Sequence, residues 1–204
     1  MQDALRKYVK ENPDEIAPGP ADLCNMAKMK AVMVHPDPEA FLTAETFAPV
    51  EKHIPLLCQK WCNSKSRYLI NLMPLSRNGD IGDESRLLQA TTFFRCRDCS
   101  EPISYPRILV HGCLTKVRLG SRNRGKEELA VYELFGAEPW NLLNNRVTFD
   151  ESTSASAKLV IKQAGFHRTA SAEALDKTDP WLECVRCLKP EKGRAVFRWR
   201  RAVR

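Results

Sequence analysis

Apolar residues recur with a helical period only in part of this chain. Phe47, Val50, Ile54, Leu57, Trp61, Tyr68 and Leu72 step by 3, 4, 3, 4, 7 and 4, the spacing of one buried stripe on a helix. Pro49 and Pro55 place the start of that helix near Pro55 or kink it there, since an interior proline costs ~3 kcal/mol. Upstream, Pro13, Pro18, Pro20, Pro36 and Pro38 break any long pattern, so residues 1–45 read as an irregular, proline-punctuated segment. A short helix is expected within it from about Ala21 to Val34, with Leu23, Met26, Met29 and Met33 facing inward.

Residues 46–94 read as a helical segment. After a loop over 71–83 containing Pro74, Gly79 and Gly82, Asp83 is placed to cap a second helix from Glu84 to about Phe94, running directly into Cys96. The remainder, 95–204, is mixed. Strand-like runs are expected at Ile103–Leu119, Leu129–Phe135 and Ala195–Arg200, and helices at Ala157–Ala164 and Ala170–Lys177. Residues 150–156 supply caps for the first of these helices, and Gly165 stops it. No internal repeat is present. The fold class is therefore α+β, a helical N-terminal half leading into a small zinc-braced α+β module.

The brace is read from cysteine spacing. Cys96-Arg-Asp-Cys99 and Cys184-Val-Arg-Cys187 are two C-x-x-C pairs, and His111-Gly-Cys113 lies between them. A C-x-x-C turn aims two thiolates at one point, and two such pairs complete the tetrahedron Zn²⁺ prefers. Two sets compete. The local one is Cys96, Cys99, His111 and Cys113, which can meet one ion only if His111 and Cys113 lie off a helix, where they would point about 200° apart. The other, taken as the first choice, is Cys96, Cys99, Cys184 and Cys187, closed over the 84 residues between the pairs. Either is rich in thiolate and closed, as in structural rather than catalytic zinc sites. A RING finger requires a further C-x-x-C after the histidine, and a redox C-x-x-C requires a strand-helix setting absent here.

Cys24, Cys58 and Cys62 read as small core residues, the last two flanking the Leu57/Trp61 stripe, and His53 and His167 receive the same reading. Eight cysteines in 204 residues are too dilute for a disulfide scaffold. The N-terminus lacks a secretory signal pattern, and no run of 18 apolar residues exists to form a spanning helix, so the expected location is intracellular, cytoplasmic or nuclear.

Charge alters the picture locally. Lys116–Lys126 carries five basic residues and Lys192–Arg204 six, with no acid in either, and without those eleven the net charge of +7 becomes −4. Arg122, Arg124, Arg198, Arg200 and Arg201 thus form a basic rim that can contact phosphates, with Trp199 available to stack on a base. The competing reading is a solvated arginine face on an alternating strand. No nucleophile-base-acid set, glycine-rich phosphate loop or carboxylate motif is visible, so neither enzyme chemistry nor a small-molecule substrate is indicated.

Five segments taken together carry a resemblance: 90–99 (ATTFFRCRDC), 103–114 (ISYPRILVHGCL), 164–176 (AGFHRTASAEALD), Cys184-Val-Arg-Cys187 and Trp199-Arg-Arg-Ala-Val203. Over roughly residues 50–204 the chain resembles the cysteine-rich C-terminal module of uncharacterised fungal F-box-like proteins. The resemblance implies substrate recognition within ubiquitin ligation, without the F-box itself, for which the chain has no room. It also implies a truncated family member, because the histidine the family places after the Trp-Arg-x-Ala-Val segment falls beyond Arg204. Together the readings give a non-enzymatic, zinc-stabilised protein-interaction module, with nucleic-acid binding through the basic rim as the alternative.

Overall fold

The computed structural model describes residues 2–33, 44–75, 84–118, 132–184 and 193–203. Helices alternate with two small antiparallel sheets, so the fold is α+β as expected. The chain divides into two compact units, Met1–Lys65 with Leu109–Asn145, and Ser66–Ile108 with Arg146–Arg204. Neither unit is one continuous stretch.

In the first unit, helices α1 (Gln2–Glu11), α2 (Pro20–Cys24), α3 (Ala27–Met33), α4 (Ala44–Glu51) and the beginning of α5 (Ile54–Leu72) gather around Leu5, Leu23, Met29, Val50, Ile54, Leu57 and Cys58. The described part of the stretch expected to be irregular, residues 2–33 and 44–45, is thus largely helical. Its prolines delimit helices instead of preventing them: Pro13 and Pro18 lie between α1 and α2, and Pro20 opens α2, where a missing N–H costs nothing. The single helix expected over Ala21–Val34 is two, because Asn25 closes α2 with its backbone N–H on the carbonyls of Asp22 and Leu23. Pro55 sits in the first turn of α5, which it tolerates for the same reason as Pro20.

Asp22 organises the polar part of this unit. Its carboxylate is buried and accepts the indole N–H of Trp61 at 2.8 Å and the backbone N–H of Trp140 at 3.1 Å. Burial pushes its pKa up, and the Lys65 ammonium, 5.3 Å from the Trp140 ring centroid, is pushed down by the same desolvation. On either side of Trp140, the backbone N–H of Asn141 donates to the Leu114 carbonyl at 2.9 Å and that of Glu138 to the Thr115 carbonyl at 2.8 Å. Those two bonds hold the turn at 112–115.

In the second unit, strands β1 (Phe94–Cys96), β2 (Pro102–Ile103) and β3 (Val147–Phe149) form a sheet of order β2-β1-β3. The helix expected up to Phe94 ends at Leu87 as α6 (Glu84–Leu87). Thr92 Oγ1 donates to the Arg86 carbonyl at 2.6 Å and closes it, and the β-branched and aromatic run 91–94 extends into β1. The helix expected over Ala157–Ala164 begins six residues earlier, as α7 (Glu151–Gln163) from its Asp150 cap, and gives way to Gly165 at φ +80° as expected. Helix α8 (Ala172–Thr178) follows, capped by Ser171. The final sheet pairs β4 (Trp181–Glu183) with β5 (Val196–Arg198) before α9 (Trp199–Ala202). The core joins Ala90, Phe93, Ala157, Ile161, Leu175, Trp199 and Val203.

Three expected strands change character. Ile103–Leu119 is strand only at its start and continues as 3-10 turns over Arg107–Val110 and Gly112–Leu114. Of Leu129–Phe135 the described residues, 132–135, are helical, and the rest lies outside the described residues. The alternation at Ala195–Arg200 stops at Arg198, because burying Trp199, with its indole N–H on Asp176 at 3.1 Å, turns the chain into α9.

Candidate metal centre

Cys96 ends β1, and the hairpin that follows determines where both thiols of the first pair point. Arg95 pairs with Pro102 in register, and the Cys96 N–H donates to the Glu101 carbonyl at 3.1 Å, leaving residues 97–100 as a tight tip. Ser100 turns the chain there with a left-handed φ of 59°. A tip this short brings the sulfurs of residues three apart to one side of the hairpin.

The tip is held from below by charge. Arg95 donates through Nη1 to the Ser100 carbonyl at 2.9 Å and through Nη2 meets the buried Asp150 carboxylate at 2.6 Å. Asp150 in turn caps α7, accepting from the Thr153 N–H at 3.0 Å and the Thr153 hydroxyl at 2.8 Å. Arg97 donates its backbone N–H to the Arg146 carbonyl at 2.8 Å, and the buried Arg146 guanidinium lies 3.9 Å from Asp98. One helix cap and one arginine pair therefore orient the first two ligands.

His111 and Cys113 arrive from the other end of the same stretch. His111 is extended, with φ −72° and ψ 116°, and the 3-10 turn Gly112–Leu114 begins immediately after it, closed by the Leu114 N–H on the His111 carbonyl at 2.9 Å. This meets the condition that the H-x-C spacing imposes, since a change from extended to turn conformation between the two residues lets both side chains face one point.

One ligand atom from each of Cys96, Cys99, His111 and Cys113 lies within 4.8 Å of all the others. Four donors about a tetrahedral zinc at a Zn–S length of about 2.3 Å are separated by about 3.8 Å, so the set fits a single ion of that size after small adjustments. Cys96 is buried, His111 and Cys113 are half-buried, and Cys99 is exposed. Among the described residues no other group of three or more such side chains converges. This cluster can hold a metal ion.

The convergence brings the local set together among the described residues. Cys184 is not among the converging donors. It follows β4, where its N–H donates to the Ala195 carbonyl at 2.8 Å, so the β4–β5 pairing dictates its position. Cys187, Arg122 and Arg124 lie outside the described residues.

The remaining expectations divide. Cys58 is buried in the first core, and burial pushes its thiol up to about 11. Burial also raises Cys24 and Cys62, and the Cys62 thiol donates to the Ile16 carbonyl at 3.3 Å. His53 and His167, expected in the core, are exposed, and the His167 ring stands 2.7 Å from the Thr169 hydroxyl. Of the rim arginines, Arg198 pairs with Asp179 at 3.0 Å and Arg200 with Asp176, while Arg201 lies over the Phe197 ring at 5.6 Å. The four converging donors were legible in the sequence as the local alternative, whereas the Arg95–Asp150 and Arg146–Asp98 supports were not. The only signal for these was Asp150 as a helix cap.

No helix among the described residues is long and apolar enough to cross a membrane. No family model matches the chain, and no curated protein or solved structure matches it.

Proposed function

We propose that this chain is a non-enzymatic, intracellular protein-interaction module in which one structural Zn²⁺ is held by Cys96, Cys99, His111 and Cys113. The observation that carries the reading is the convergence of these donors within 4.8 Å from two backbone turns with independent supports. Three thiolates and one imidazole are a donor set characteristic of structural zinc, and four protein ligands leave no coordination position for a reacting water. The ion supplies a cross-link where local secondary structure consists of short strands and 3-10 turns. The resemblance to F-box-like C-terminal modules supports a recognition role within ubiquitin ligation.

The nucleic-acid alternative is not favoured by the rim, because Arg198 and Arg200 already face Asp179 and Asp176. Elemental analysis of the purified chain tests the metal assignment. The expected result is one zinc per chain, lost in Cys96→Ser and Cys113→Ser and retained in Cys184→Ser. Metal-free wild-type protein, or loss of the ion in Cys184→Ser alone, would overturn it.

A further inference from the structure

In the second unit, away from the four ligands in sequence, α7 and the β4–β5 sheet enclose a groove of about 850 Å³. Its floor is apolar, formed by Val160, Leu182 and Phe197, each half-buried, and Val160 and Leu182 also pack on the core. Its rim exposes large apolar side chains: Leu159 is 68% and Trp181 64% accessible. Scattered exposed leucines require no explanation, but a leucine and a tryptophan flanking one concave apolar surface indicate a contact site. The Arg198 guanidinium, 5.3 Å from the Trp181 ring centroid, holds that indole in place.

Charge identifies the occupant. The described charged residues in the groove wall are Glu183 and Arg201. Glu183 is neutralised by Arg194 at 3.3 Å, and the neighbouring Arg198 and Arg200 are neutralised by Asp179 and Asp176. Among the described residues of this C-terminal stretch, Arg201 is the arginine with no carboxylate opposite it; it is exposed and lies over Phe197. A single uncompensated guanidinium beside an apolar floor complements a ligand with one carboxylate next to a large apolar side chain. A nucleic-acid backbone would instead require a row of available cations.

We propose that this groove docks a partner protein through a short segment in which a large apolar residue adjoins an aspartate, a glutamate or a free C-terminal carboxylate, with Arg201 receiving the carboxylate. The proposal rests on the protein-interaction reading above and names the surface and the chemistry that reading leaves open. It does not involve the metal ligands.

A random peptide library displayed on phage and selected against the full chain tests it. Enrichment of sequences with an aromatic or aliphatic residue beside an acid is expected. A synthetic peptide of the enriched sequence should bind Arg201→Gln and Leu159→Asp about tenfold or more weakly than wild type. Both positions are exposed, and unchanged circular dichroism and metal content would show that the variants fold. Replacing the peptide's acid by its amide should remove the effect of Arg201→Gln, which a general loss of structure would not do. Peptides whose binding is unaffected by both variants would overturn the groove and leave the interaction reading standing. Absence of any enrichment would sink both, and salt-sensitive binding of a single-stranded oligonucleotide lost in Arg201→Gln would replace the peptide with nucleic acid.

Discussion

Two groups of cysteines in this chain have opposite fates. Cys58 and Cys62 lie one helical turn apart on α5, one buried in the first core and the other donating to the Ile16 carbonyl, and burial raises the pKa of both thiols. Cys96, Cys99 and Cys113 lie at a hairpin tip and a 3-10 turn, and with His111 they converge within 4.8 Å. A helix fixes its side chains by its own hydrogen bonds and buries a thiol as a small apolar group. Short turns bury too little to fix themselves, and their cysteines are brought together instead. The difference teaches that the backbone beneath a cysteine, more than the residue type, decides between packing into a core and converging on a point where a metal could be held.

Removing a ligand should break the contrast most severely. Cys96→Ser or Cys113→Ser is expected to lose the ion and several kcal/mol of stability, a fraction of the ~10–16 kcal/mol such sites supply, seen together in metal content and thermal unfolding. A strong chelator should destabilise wild type and Cys58→Ala alike and leave Cys96→Ser unaffected. Equal response of all three would dissolve the distinction between the two groups.

The supports come next in size. Asp150→Ala removes the α7 cap and strands Arg95, for an expected loss of ~2–3 kcal/mol by urea titration. Asp150→Asn should recover part of that by retaining an acceptor for Thr153. Metal affinity should weaken with both, because the hairpin tip loses its tie.

Cys58→Ala should cost only ~1 kcal/mol with metal content unchanged, the cost of a small cavity. A last test uses the same residue and pH. The Cys58 thiol has an ordinary pKa of 9.0 and is pushed up to about 11 in the fold, so between those values the folded state keeps a proton that the unfolded state releases. The Cys58 contribution to stability must then fall as pH rises above 9 and level off beyond about 11. Cys58→Ala should flatten that part of the wild-type curve, and an unchanged slope would show that Cys58 does not carry it.

Legibility followed period and spacing. The apolar stripe was visible through Val50 on α4 and Ile54, Leu57 and Trp61 on α5, although the last turns of α5 bury Leu69 and Ile70, with Met73 just beyond them, where Tyr68 and Leu72 were expected. The α7 cap and stop were visible because Asp and Gly have local conformational reasons to be there. Helix α1 was hidden: apart from Leu5 its apolar positions are only partly covered or exposed, so the buried stripe is one residue deep. The strands β1, β3 and β4 span three residues each, too few to show a period.

Residue types and spacings alone pointed to a mixed α+β chain with a thiolate-rich group of possible metal donors beginning at Cys96-x-x-Cys99, because those properties reside in a few adjacent residues. Which of the described donors converge was decided only in three dimensions. His111 and Cys113 share a point with the first pair because the backbone changes from extended to turn between them, while β4–β5 pairing fixes Cys184 outside the converging group. Ligation depends on distances between side chains, and those distances are products of hydrogen bonds made by other residues.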